Sequence, residues 1–112
     1  MRRGEIWAAI WPNDPHKKER PVLIVSNDHR NSAPALLDIT IVKITSRMRA
    51  DGSKKTVNQF EDVVAHLKKD RITQCGAIFS IEKKHLRRIL GQLTPAQMNE
   101  INDKLRSALA LD

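Results

Sequence analysis

Pro21-Val22-Leu23-Ile24-Val25-Ser26, the hexapeptide PVLIVS, is the stretch on which the fold turns. It is an uninterrupted run of β-branched and leucine side chains, which predicts a buried strand. Proline has no amide N–H and is tolerated as the first residue of a strand, so Pro21 opens it. Asn27-Asp28 closes it.

The flanking segments extend the same pattern. Upstream, Gly4 to Trp11 (GEIWAAIW) alternates loosely and predicts a second strand. Pro12-Asn13-Asp14-Pro15 between them is turn chemistry, and the charged run His16 to Arg20 continues that loop. Downstream, residues 29–35 are expected to be loop. Leu36 to Thr45 sets Leu37, Ile39 and Ile41 against Asp38 and Thr40, the alternation of a half-buried strand. Ser46 to Thr56 is polar and basic, with a turn at Asp51-Gly52, and is expected to be an exposed loop. Gln59 to Leu67 fits a short strand or irregular chain. Asp70 to Ile81 contains another strand, Glu82 to Leu86 fits one helical turn, and Arg88 to Leu93 a last strand.

The C-terminus predicts a helix. Thr94 suits the N-cap, Pro95 the first helical position, and Gln97 completes a capping box. Leu93 and Met98 have the spacing of a hydrophobic staple. Met98, Ile101, Leu105, Ala108 and Leu109 form one apolar stripe, which should dock on the sheet. Strands that follow one another without intervening helices predict a mainly β fold: a curled antiparallel sheet or small barrel, with one terminal helix.

The chain of 112 residues is read as one domain. A domain of this size buries about two-thirds of its unfolded surface, enough for a core without disulfides or metal. The single Cys75 has no partner for an intramolecular disulfide and is read as a small buried hydrophobe. One thiol fits a reducing compartment. No segment reaches the roughly 18 apolar residues of a membrane span, and no apolar run follows Arg2 and Arg3. The expected location is the cytoplasm.

Twenty Lys and Arg face thirteen Asp and Glu, for a net charge of +7. From Thr94 onward the net is −1, so residues 1–93 carry +8. A basic body with a near-neutral tail suggests an anionic partner, nucleic acid or an acidic protein. The sequence has no Walker A loop and no GxGxxG. His16, His29, His66 and His85 are scattered without metal-ligand spacing, and the carboxylates form no dense cluster, so neither a structural zinc site nor a two-metal nuclease is expected.

What remains is a basic strand-and-loop surface. Arg20 directly precedes the buried strand, which suits a group aimed at a phosphate. Thr45-Ser46-Arg47 offers two hydroxyls and a cation where the next long strand ends. Consecutive strands are usually neighbours, which would bring Arg20 and Thr45 together. On the pattern alone, an ordinary exposed arginine and a capped turn account for these residues as well.

The series Gly4-Glu5-Ile6-Trp7, Arg20 to Asp28 (RPVLIVSND), Ile44-Thr45-Ser46, Leu67-Lys68-Lys69-Asp70, Ile81-Glu82-Lys83 and Leu105 to Leu111 resembles, in order and spacing, the MazF/PemK toxins of bacterial toxin–antitoxin systems. That resemblance implies an SH3-like β-barrel of the CcdB/MazF kind with a C-terminal helix, and a homodimer. It implies a metal- and cofactor-independent endoribonuclease, an mRNA interferase, that cuts single-stranded RNA at short sequences. The RNA's own 2′-hydroxyl would be the nucleophile. It also implies a cognate antitoxin whose acidic segment covers the RNA site.

Carried over by position, Arg20 matches the family's catalytic arginine and Thr45 its catalytic Thr/Ser, with Ser46 beside it. A guanidinium suits charge on a phosphorane but is a poor base, since its pKa lies above about 12. Glu19 and His16 are the nearby candidates for moving the proton. Lys17, Lys18, Arg47, Arg49, Lys54 and Lys55 are the expected RNA-contacting cations, and Phe79 an expected base-stacking residue.

The sequence departs from the family in two places. Asn13 to Glu19 is shorter than the usual Gly-Ser-Glu-Gln loop and shares none of it. Ala77 and Phe79 replace a polar Gln-x-Arg pattern. Two other readings stay open: a CcdB-like toxin that poisons gyrase, and a catalytically weak module that binds nucleic acid or antitoxin.

Overall fold

The computed structural model describes residues 1–66 and 70–111. Six strands run β1 (Glu5–Ile10), β2 (Glu19–Ile24), β3 (Asp38–Ser46), β4 (Asp62–His66), β5 (Asp70–Glu82) and β6 (Leu86–Gln92). A short helix α1 (Asp28–Ser32) follows β2, a 3-10 turn (Lys83–His85) precedes β6, and α2 (Pro95–Ala108) ends the chain. The strands form one antiparallel sheet in the order β4-β5-β3-β2-β1-β6. The mainly β class with a C-terminal helix is therefore as expected. The barrel is not closed: β4 and β6 stand at opposite ends of the sheet.

The hexapeptide is central because core lies on both faces of it. Leu23 packs with Ile6, Val42, Ile44, Cys75 and Ile101 of α2, whereas Val22 and Ile24 pack on the other face with Ala9, Ile39, Ile41 and Leu86. A strand buried on both faces has no position for a polar side chain, hence the unbroken apolar run. The strand starts two residues earlier than expected, at Glu19. Pro21 is nonetheless tolerated, because β3 pairs with β2 only from Val22 onward and Pro21 faces β1 alone, opposite Ala8.

The expected loop at 29–35 holds the one-turn helix α1. The Asn27 side chain accepts from the Arg30 amide as its N-cap. Asn31 is buried, accepts from the Ser26 hydroxyl and donates to the Ser26 carbonyl at 2.9 Å. The third strand begins at Asp38, leaving Leu37 exposed before it. β5 runs from Asp70 to Glu82 and bulges: Val42 faces Ile78 and Lys43 faces Gln74, so Cys75 to Ala77 are extra. Cys75 there donates its amide to the Glu61 carbonyl at 2.9 Å. The ambiguous 59–67 segment contributes β4. Its last residue, and the Leu67–Lys69 part of the family pattern, lie outside the described residues.

The 46–56 segment is an ordered hairpin and not an open loop. Met48 bridges Lys54, Arg49 donates to Ser53 O at 2.8 Å, and Lys55 donates to Arg47 O at 2.7 Å. Gly52 takes φ +87 in its turn, a conformation that suits only glycine well. In α2 both capping-box bonds form, from Gln97 N to Thr94 and from Thr94 N to Gln97. Leu93, Met98, Ile101 and Leu105 meet in the core; Leu109 is exposed. Among the described residues no helix is long and apolar enough to cross a membrane.

Candidate functional site

The two strands that carry Arg20 and Thr45 lie side by side. β2 and β3 are neighbours, and their ladder ends at Val22 opposite Lys43. Two residues further along each strand stand Arg20 and Thr45, at the same offset. Arg20 has the parity of Val22 and Ile24, and Thr45 that of Ile41, so alternation points both toward one face. The buried strands hold the backbone at both positions, so their side chains start from rigid points.

Each is held by a charged neighbour. Arg20 Nε stands 3.8 Å from Asp14 Oδ2, and its side chain remains 49% exposed. The β1–β2 loop builds this contact. Asp14 N donates to Trp11 O, Lys17 N donates to Asp14 O, and His16 N donates to Asp14 Oδ1 at 2.9 Å. The hydrogen bond from the His16 amide, helped by the Lys18 amide and Arg20, holds the Asp14 carboxyl below its ordinary value. Lys17 takes φ +48 to complete the tight loop. With Nε turned to Asp14, the outer nitrogens of Arg20 are left for an anion.

Thr45 Oγ1 accepts a hydrogen bond from Lys55 Nζ at 3.0 Å. The hairpin delivers that lysine, since Lys55 N is bonded to Arg47 O. A hydroxyl that accepts from an ammonium keeps its own proton to donate, the arrangement needed to hold a phosphate oxygen. Ser46 acts as a turn cap, accepting from Met48 N at 3.3 Å.

A cleft of about 720 Å³ opens beside Arg20. Ala8 and Pro21 line it with Glu19, Arg20, Arg71 and Arg88, and Ile89 and Leu90 of β6 complete it. Three guanidinium groups thus face one carboxylate. Glu19 Oε1 lies 3.5 Å from Arg88 Nε, so the carboxylate is tied to the β6 wall.

The other expected residues are distributed around this centre. His16, Lys17 and Lys18 are exposed on the β1–β2 loop. Arg47 is half-buried, whereas Arg49 and Lys54 are exposed on the hairpin. Phe79 does not line the cleft. It packs edge-on against Trp11, ring centroids 5.0 Å apart, and remains 43% exposed. Ala77 falls in the β5 bulge, where alternation is broken. Burial pushes the Cys75 thiol up to about 12, so it is not a nucleophile. Among the described residues no cluster of His, Cys, Asp or Glu could hold a metal ion.

Sequence reasoning missed Asp14, read only as a turn residue, and Arg88, Ile89 and Leu90. The signal for the β6 residues is register. Arg88 pairs opposite Ala8, which in turn faces Pro21.

Comparison with known proteins bears on the family and the fold. Residues 2–109 match the family of PemK-like, MazF-like toxins of type II toxin–antitoxin systems. The chain is 34% identical over 92 residues to endoribonuclease MazF1 of Mycobacterium bovis, covering 82% of this chain and 80% of that one. It is 30% identical over 123 residues to endoribonuclease MazF9 of Mycobacterium tuberculosis, covering 99% and 98%. A mycobacterial endoribonuclease solved in complex with its cognate antitoxin superposes with a TM-score of 0.76 at 29% identity, over 100% of this chain and 97% of that one. With the family matched across nearly its whole length, this chain belongs to the PemK-like, MazF-like toxins of type II toxin–antitoxin systems.

Proposed function

We propose that the chain is an endoribonuclease that cuts single-stranded RNA, mRNA included, at short sequences, in the cytoplasm and as a homodimer, with residues 1–112 acting as one toxin domain. A cognate antitoxin, through an acidic segment, blocks the same cleft. The observation that carries this reading is a cleft walled by three arginines, Arg20 among them beside Asp14, with a lysine-held hydroxyl, Thr45, on the strand next to that of Arg20.

The chemistry follows from what these groups can do. The 2′-oxygen of the RNA attacks the adjacent phosphorus, an O–P bond forms, and the bond from phosphorus to the 5′-oxygen breaks. The products are a 2′,3′-cyclic phosphate and a free 5′-hydroxyl. Arg20 neutralises charge on the phosphorane, and Thr45 donates to one of its oxygens. A guanidinium is a donor and a poor base, so Arg20 is not the group that takes the proton. Glu19 is the carboxylate within the cleft and is the proposed acceptor of the 2′-proton. His16 lies outside the cleft lining, exposed on the β1–β2 loop. Lys17, Lys18, Arg47, Arg49, Lys54 and Lys55 supply the field that draws RNA in.

The test is incubation of the purified protein with a long single-stranded RNA in EDTA, beside Arg20→Ala. Cuts in EDTA that end in cyclic phosphate and vanish in the variant are expected. Intact RNA with the wild-type protein overturns the reading, and inhibition of gyrase by the same sample would replace it.

A further inference from the structure

Resting on that reading of the cleft, we infer that the RNA path does not end at Arg88. A ridge of cations continues from it, along the start of β6 to α1, and carries single-stranded RNA that flanks the cut.

The run Lys83-Lys84-His85-Leu86-Arg87-Arg88 holds four lysines and arginines in six residues. Each step along it is a chain neighbour or a bond. Arg88 lines the cleft, and Arg87 adjoins it. Arg87 Nη1 donates to Lys84 O at 2.8 Å, which folds its side chain back toward the 3-10 turn. Lys83 Nζ donates to Arg30 O at 2.7 Å, which joins that turn to α1. A regular strand would turn Arg87 and Arg88 to opposite faces. Here Ala8 faces Arg88 while Ala9 faces Leu86, so Arg87 is an extra residue and leaves the alternation. Arg87 is exposed, and the Lys84 side chain is 70% exposed. Two carboxylates accompany the ridge. Glu82 Oε2 stands 3.3 Å from Lys84 Nζ, and Asp38 pairs opposite Glu82. The Lys84–Glu82 pair is open to water, so it competes weakly with a phosphate. Leu86, the run's one apolar side chain, is buried.

This chemistry selects a phosphodiester chain. Guanidinium and ammonium groups hold phosphate oxygens. No exposed apolar side chain lies among them to anchor a peptide. An RNA cut within its length has flanks on both sides of the scissile phosphate, and a strand that leaves the cleft past Arg88 meets Arg87 next. Phosphate contacts position a strand without reading its bases, so the ridge adds affinity and no sequence preference. The preferred substrate is therefore a long RNA. A short oligonucleotide seats in the cleft, where three arginines converge, and does not reach the ridge.

The experiment measures binding of uncleavable 2′-O-methyl oligouridylates of about four and about sixteen nucleotides to the full chain, by fluorescence anisotropy over a range of salt. The wild-type protein should bind the long probe more tightly. Lys84→Gln/Arg87→Gln should lower the long probe's salt slope by about 1.4, two contacts at about 0.7 each, and weaken it about ten- to thirtyfold near 0.1 M salt. The short probe should stay within about twofold, because distant charges are screened. Arg106→Gln/Ser107→Glu shifts the net charge equally on the exposed side of α2 and should leave the long probe within about twofold. Circular dichroism confirms the fold. Arg87→Gln alone, expected to lower the slope by about 0.7, repeats the test if the double variant unfolds.

Equal losses for the short and long probes overturn the ridge, as does a wild-type protein that binds both alike. An α2 variant that loses as much as the ridge variant reduces the effect to net charge and overturns it too. A glutamate peptide of equal charge that binds as tightly as the long probe, and loses as much, assigns the surface to an acidic protein instead. A smaller particle in sedimentation for the ridge variant assigns it to a second copy. RNA cleavage assayed separately distinguishes these failures from failure of the nuclease reading, because binding of the probes does not require catalysis.

Discussion

The Lys55 ammonium donates to Thr45 Oγ1 at 3.0 Å across a hairpin that returns the chain onto its own strand end. The contact occupies the hydroxyl's acceptor side and leaves its proton to be donated. Lys55→Met should lower kcat/KM about ten- to a hundredfold, the usual loss for a misplaced oxyanion donor. Lys55→Gln, which keeps a donor, should recover part of it. If Lys55 only attracts RNA, salt will erase the difference between Met and Gln; single-turnover rates at saturating RNA decide this.

Asp14 plays the matching part for Arg20. Asp14→Asn removes the charge and keeps the shape, so Arg20 loses its counter-ion while the loop amides keep an acceptor. The expected result is a fall in kcat larger than the rise in KM, with Arg20→Ala epistatic to it. Additive losses in the double variant would show that Asp14 acts elsewhere.

The same carboxylate sets a pH signature. Its folded pKa is depressed, chiefly by the hydrogen bond from the His16 amide. Its stabilising contribution is therefore fully present above the unfolded value of about 3.8 and is lost as pH falls through the lower folded value. In that window the unfolded chain binds the extra proton, so stability drops with pH. Urea midpoints of wild type and Asp14→Asn should converge as pH falls from 6 to 3. Parallel curves would mean that the carboxylate is not held as described.

Much of this was legible in the sequence because the relevant forces are local or periodic. The capping box at Thr94 and Gln97, the buried run at Val22 to Ile24 and the alternation through Ile39 and Ile41 are written in neighbouring residues. The side-by-side placement of the strands that carry Arg20 and Thr45 was legible because consecutive strands pair. The place of Arg88 was not, since β6 reaches the cleft through a partner distant in sequence and through bulges that no alternation signals. Whether the sheet curls or closes was left open by the sequence, because strand number and turn chemistry say nothing about whether β4 and β6 meet. The helix α1 was missed for a related reason: a one-turn helix has no period to detect. It is held by tertiary bonds, including Lys83 Nζ donating to Arg30 O at 2.7 Å and to Ala33 O at 2.9 Å.

That dependence on tertiary bonds makes Asn31 the side chain to remove. It is buried, its amide donates to the Ser26 carbonyl, and its oxygen accepts from the Ser26 hydroxyl, which itself accepts from Thr40 N at 3.1 Å. Asn31→Ala leaves these Ser26 groups without their partner inside the protein, at a cost of about 1–3 kcal/mol. For a domain near 100 residues each kcal/mol lowers Tm by about 4–8 °C. Thr94→Ala, at an exposed cap, should cost only about 1 kcal/mol. The two variants together test whether the Ser26-Asn27-Asp28 block is a structural clamp or part of the RNA site. A clamp predicts a large loss of Tm with kcat unchanged at temperatures where the variant stays folded. A lower kcat at unchanged Tm would move Asn31 into the site.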